Sequence, residues 1–281
     1  MRTAFRLTVA FAMLCSLLPA MLTADALSYA TAANLTSDTS TFGVLDLTTG
    51  SYSQIATGNV FIGDLAMAGN GIIYALTFPF TGTGTGEFAT IDPTTGLITD
   101  IAPDTANLET IGFSGNGLLY GITYAPTGPQ AIYSITPATG ATSFIAELSG
   151  PAADDAIQLR FIGNTAYTTD YVSPSSLYTV NLTTGATTLV GVTGLAASNA
   201  LGAVLGGQLV DDAASGSGGQ LYFINPATGA ATAGPTTIDE FAFTPESVPE
   251  PGSALLAACG LMTLSFVGRR TRRGGRRTTR R

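Results

Sequence analysis

The 281-residue chain is 45% hydrophobic and 11% charged, has no histidine, tryptophan or lysine, and keeps its two cysteines, Cys15 and Cys259, in apolar runs near its ends. Those absences exclude from its middle a Ser-His or Cys-His pair, a lysine nucleophile, the usual zinc ligands and any disulfide. Charge is segregated: Arg160 is the one arginine between residues 27 and 253 and stands against 18 acidic residues, a surface that repels nucleic acid and anionic membrane and suits cations or neutral polymers.

Residues 1–26 carry Arg2 and Arg6, an apolar run from Leu7 to Leu22, and the small-x-small site Ala24-Asp25-Ala26. This is the layout of a secretory signal peptide, read by the secretion machinery and cut by signal peptidase after Ala26, with an uncleaved anchor as the alternative.

From Leu27 onward, short runs of Tyr, Phe, Val, Ile and Thr are broken by Gly, Asn, Asp and Pro, which predicts strands and turns. The phrases LDLTTG, IDPTTG, ITPATG, VNLTTG and INPATG end at Gly50, Gly96, Gly140, Gly185 and Gly229, at intervals of 46, 44, 45 and 44 residues. A period near 45 in strand-forming sequence is that of propeller blades. Each phrase reads as a strand entering a tight turn, with Asp, Asn or Thr bonding local backbone and Gly supplying positive φ. Between phrases lie second hairpins, DLAMAGNGIIYALT, TIGFSGNGLLYGIT and QLRFIGNTAYTTD, which brings the count to four strands per period. TGTGTG at 81–86 has no basic residue after it and reads as a turn, not a phosphate loop.

After Gly229 the chain supplies one strand, IDEFAFTP, while LSYATA from Leu27 matches the second strand of other repeats. These observations predict an all-β five-bladed β-propeller over 27–245, its last blade completed by N-terminal strands so that no terminal sheet edge is left open. An open β-solenoid or sandwich is the alternative.

Alignment through the Asn-Gly turns places Asp64, Thr110, Gln158, Leu201 and Glu240 at one repeat position on the innermost strands. Asp64 and Glu240 could then converge on the central channel, two carboxylates being the minimum for glycoside hydrolysis or for a hard cation such as calcium. The competing expectation is that they are solvated strand ends. The doublets Asp154-Asp155 and Asp211-Asp212 lack the D-x-D-x-D-G layout of a calcium loop and read as surface turns.

The chain closes with a linker over 246–253 containing Pro249-Glu250-Pro251, an apolar run over 254–268, and an arginine-rich tail over 269–281. Fifteen residues of helix span about 22 Å against a hydrocarbon core of about 30 Å, so this short transmembrane helix needs bilayer thinning or help from its flanks. Arg269, Arg270, Arg272, Arg273, Arg276 and Arg277 lead a cluster that holds this end cytoplasmic and leaves the propeller outside. The order Pro-Glu-Pro, apolar helix, arginine cluster resembles the PEP-CTERM sorting signal of Gram-negative surface proteins. That resemblance covers 249–281 and implies that an exosortase, a membrane-embedded cysteine protease, recognises Pro249, Glu250 and Pro251 and processes the chain nearby. It also implies delivery to the cell surface or exopolysaccharide matrix; a plain C-terminal anchor is the alternative. The expectation for function is a non-enzymatic surface, matrix or adhesion protein, against a carbohydrate-active enzyme or a calcium- or glycan-binding module.

Overall fold

The computed structural model describes residues 27–34, 37–80, 86–196, 200–205, 207–214, 219–237 and 246–247. Among the described residues, twenty strands form five four-stranded antiparallel sheets, the blades of a five-bladed β-propeller. In chain order the second blade holds β4 (Val60–Met67), β5 (Ile73–Pro79), β6 (Glu87–Ile91) and β7 (Ile98–Pro103). The third holds β8 (Leu108–Phe113), β9 (Leu119–Thr123), β10 (Ala131–Thr136) and β11 (Ala141–Glu147). The fourth is β12 (Arg160–Ile162), β13 (Thr165–Thr169), β14 (Ser176–Val180) and β15 (Thr187–Val192), and the fifth β16 (Ala200–Leu205), β17 (Gln208–Ala214), β18 (Gly219–Ile224) and β19 (Ala231–Thr237).

The first blade is assembled from both ends of the domain: β20 (Glu246–Ser247) pairs with β1 (Leu27–Asn34), which continues to β2 (Thr39–Asp46) and β3 (Tyr52–Gly58). One C-terminal and three N-terminal strands therefore close the ring. Among the described residues the closing pairs fall at Glu246 and Ser247, just past the predicted boundary at 245; residues 238–245 lie outside the described residues. The inner strands β20, β4, β8, β12 and β16 touch in cyclic order.

A flat blade has two apolar faces, and burying both requires a neighbour on each side. Five core clusters among the described residues meet that need, one at each seam. Phe42, Leu65 and Ile73 join blades one and two; Tyr74, Phe88 and Ile111 join two and three; Ile132, Leu159 and Val180 join three and four. Leu177, Leu201 and Leu209 fill the fourth-to-fifth seam, and Leu45, Val210 and Leu221 seal the fifth against the first. Each fully buried Leu, Ile or Phe contributes about 1.5–3 kcal/mol relative to exposure.

The repeated phrases are the turns between the third and fourth strands of all five blades, and so lie at one end of the propeller. The side-chain oxygens of Asp46, Asp92, Asn181 and Asn225 accept the backbone N–H two residues on, at 2.8–2.9 Å. Their glycines have φ between +67° and +75°, where a Cβ is disfavoured. Space forbids a Cβ as well. On Gly96 it would strike Ala56, on Gly140 Ala102, on Gly185 the Glu147 carbonyl, on Gly229 Gly191, and on Gly50 the Thr236 carbonyl. Each turn thus seats against the outer strand of the preceding blade, and Gly50 against β19 closes the circle.

Candidate functional site

Inner strands β4 and β8 each carry a bulge. Between β4 and β5, Gly63 is the extra residue; between β8 and β9 it is Glu109. A bulge re-aims the side chain that follows it, here Asp64 and Thr110, and the two meet: Thr110 Oγ1 donates to Asp64 Oδ2 at 2.6 Å.

Asp64 is fully buried and accepts from five donors. Oδ1 takes the Leu65 N–H at 2.8 Å and Arg160 Nη2; Oδ2 takes Thr110 Oγ1, the Ile111 N–H at 2.7 Å and Arg160 Nη1 at 3.2 Å. Arg160 Nη1 also donates to the Ile111 carbonyl at 3.0 Å and the Leu159 carbonyl at 2.8 Å, while Thr110 Oγ1 accepts from the Leu159 N–H at 2.9 Å. The expectation that Asp64 offers a free carboxylate to the channel is therefore corrected: its lone pairs are consumed by donors from blades two, three and four. It organises three blades and has no coordination left for a ligand.

The other members of that repeat position diverge. Gln158 is buried, and its Oε1 has no hydrogen-bond partner among the described residues. Leu201 belongs to the core between blades four and five. Glu240 lies outside the described residues, as do Ala24, Ala26, Pro249, Glu250, Pro251, the apolar run 254–268 and the arginines from Arg269 onward. Among the described residues no helix is long and apolar enough to cross a membrane.

Glu109 and Asp170 were not singled out from the sequence, and Asp155, read there as part of a surface turn, is only partly exposed. Glu109, on the β8 bulge, receives Gln130 Nε2 at 3.1 Å, and burial, then the carboxylates of Asp155 and Asp64, push it up to about 7. Asp155 is raised by burial and by Asp170, and accepts the Tyr171 N–H at 3.2 Å. Asp170 accepts the Ser176 N–H at 2.8 Å and the Tyr178 hydroxyl at 2.7 Å. Gln130 fastens the crossing between blades three and four by exchanging bonds with the Ala156 backbone, both at 2.7 Å.

The doublet Asp211-Asp212 is corrected outright. It is not a surface turn but the middle of β17, both residues buried, and burial followed by the neighbouring Asp211 carboxylate raises Asp212 to about 7. Strand alternation explains the error: Leu209 and Val210 pack against opposite neighbouring blades, so the next two residues also enter both seams. Asp154 is exposed as expected. Chemically, the arrangement can hold a proton at Glu109 and another at Asp212 near neutrality. Among the described residues no group of three or more His, Cys, Asp or Glu side chains is placed to hold a metal ion.

No protein-family model matches the chain, and no curated protein matches it. Solved structures resemble its architecture at low identity. TolB from Acinetobacter baumannii is 12% identical, with 80% of this chain and 67% of that one covered and a TM-score of 0.47. XC5397 from Xanthomonas campestris, described as a gluconolactonase, is 12% identical over 76% of this chain and 77% of its own, with a TM-score of 0.47. A Bacteroides caccae protein of unknown function is 10% identical, with 78% and 98% covered and a TM-score of 0.45.

Proposed function

We propose that this chain is an exported propeller sorted to the cell surface or extracellular matrix of a Gram-negative bacterium, where it acts as a non-enzymatic structural, adhesion or binding component. The observation that carries the reading is the ordered tail: Pro249-Glu250-Pro251, fifteen apolar residues over 254–268, then eight arginines. Those arginines hold the tail inside by the positive-inside rule, while the predicted signal peptide delivers the propeller outward. An exosortase-type membrane protease is the partner this order implies.

A carbohydrate-active enzyme built on Asp64 and Glu240 would need both carboxylates free. The saturation of Asp64 by five protein donors therefore supports the non-catalytic alternative. With Arg160 alone against 18 acidic residues, neutral exopolysaccharide is the favoured matrix partner.

Fractionation of the native host into membrane, surface matrix and medium, with intact-mass determination of both termini, tests the proposal. The expected species begins at Leu27, ends near Pro249 to Ser253 and lies outside the membrane. A chain retaining Arg281 in the membrane fraction would overturn sorting in favour of a plain anchor.

A further inference from the structure

Charge is spread as unevenly around the ring as along the chain. Between Asp155 and Asp239 the sequence holds four charged residues, Arg160, Asp170, Asp211 and Asp212, and all four are buried. Among the described residues, blades four and five therefore expose no charged side chain. Exposed carboxylates stand elsewhere: Asp38, Asp92, Asp100 and Glu147 on the first three blades, and Asp154 on the passage into the fourth.

The uncharged sector presents apolar side chains instead. Tyr171, Val172, Leu189 and Val192, all on blade four, are each half or more exposed. Val192 pairs with Ser176, into which the segment carrying Tyr171 and Val172 leads, and Leu189 lies on the same strand, β15, opposite Tyr178. β15 ends its sheet, and natural edge strands are commonly blunted by charge or proline. Asp100 and Pro103 do so on β7, Glu147 on β11 and Pro235 on β19, while β3 exposes only Ser53, Gln54 and Thr57. β15, with the sequence TTLVGV, combines exposed apolar residues with neither charge nor proline.

We infer that the rim of blade four, centred on Leu189 and Val192, is where a second copy of this chain docks, the two copies related by a two-fold axis. Charge selects this occupant. Between residues 27 and 253 each copy sets one arginine against 18 acidic residues, so copies repel one another, and like charges brought face to face at an interface are costly. A two-fold contact places the same patch on both sides, so the patch must be free of charge to face itself. A neutral polysaccharide makes no such demand, because its hydroxyls donate to carboxylates as readily as to carbonyls. A bulge at Val190 and the fifth-blade turn seated on Gly191 interrupt the strand edge. Side chains, rather than a continuous backbone ladder, therefore carry the contact. It operates whether or not the tail is removed.

The test is sedimentation velocity of the protein purified from its native host, over a range of concentrations at low and high salt. Wild type should pass from monomer to dimer as concentration rises, and should do so at lower concentration in high salt, where repulsion between copies is screened. Leu189→Glu with Val192→Glu should weaken the dimer by roughly tenfold or more, with circular dichroism unchanged because both side chains are exposed. Phe144→Glu, on the exposed rim of blade three, should leave the dimer intact. Chains carrying Leu189→Glu and Leu189→Arg, each poor at pairing with itself, should form a mixed dimer, since opposite charges then face across the contact. A wild type that stays monomeric at every concentration and salt, or a dimer that Phe144→Glu weakens as much as the double change, would overturn the inference. So would a monomer held by a neutral polysaccharide column and released by the double change, which would assign the face to a glycan.

Discussion

Asp64 and Arg160 are 96 residues apart in sequence and form a buried ion pair. Removing one partner of such a pair strands the other charge, at a cost of about 3–5 kcal/mol. Asp64→Asn should therefore lower the melting temperature by on the order of 10 °C in a domain of this size, read by thermal denaturation. Replacing both residues, Asp64→Leu with Arg160→Met, should recover part of that loss because no charge is left unpaired. Glu109 and Asp212 respond to pH. Each is raised to about 7 from ordinary values of 4.5 and 3.8, so the folded state binds these protons more tightly. The stability they add is complete below the ordinary values and fades as pH rises through about 7. Urea midpoints should accordingly fall from about pH 5 to about pH 8, and Asp212→Asn should flatten that slope. Asp92 acts in a separate window: hydrogen bonds from Thr94 and Thr95 hold it down to about 2, so its contribution disappears only as pH falls through that value. Sequence alignment did bring Asp64 and Thr110 to one register, because each precedes an Asn-Gly turn, Asn70-Gly71 and Asn116-Gly117, by the same offset. It did not reveal Arg160 as their partner, since reaching two blades away is not a periodic property. The one signal was compositional: a lone cation in a strand where the other repeats place apolar residues.

At the scale of elements, the turn glycines and the hairpin glycines look alike in sequence but face different surroundings. Gly96 and Gly117 both have positive φ, at +69° and +79°. A Cβ on Gly117 meets open space, whereas one on Gly96 collides with Ala56. Gly117→Ala should cost about 1–2 kcal/mol for the left-handed backbone alone, and Gly96→Ala measurably more in urea titration, because two blades must also part. The phrases were legible as turns because local hydrogen bonding and chirality fix them. Their role as blade-to-blade contacts was not legible, since the matching small residues, Ala56, Ala102 and Gly191, stand on the strand of the preceding repeat. Similarly, β17 carries two consecutive buried carboxylates, and neighbouring Asp residues give no amphipathic alternation from which burial on both faces can be read. The strand predicted to close the ring, IDEFAFTP, lies outside the described residues, and the described closing pairs fall just after it, at Glu246 and Ser247.

The whole domain is a ring of five similar units carrying almost only negative charge. Self-repulsion opposes the compact state, and salt relieves it by shortening the Debye length from about 30 Å at 0.01 M to about 3 Å at 1 M. Urea midpoints should rise across that range, with the buried Asp64–Arg160 pair contributing little to the trend. The number of blades and their cyclic closure were legible because repeat spacing and the complementary strand deficit at the two ends constrain topology together. The ladder joining Ser28 to Ser247 has a further consequence. A ring whose seams all bury apolar clusters has no first blade, and the two strands that close it, β1 and β20, meet on one rung. A circular permutant that tethers Ser247 to Leu27 by a short linker and opens new ends between Asp104 and Asn107, where the chain passes from the second blade to the third, should refold to the same ring. Its circular dichroism and cooperative unfolding should match those of the parent. Chain order would then be an accident of where the gene begins, and the physical molecule a cycle.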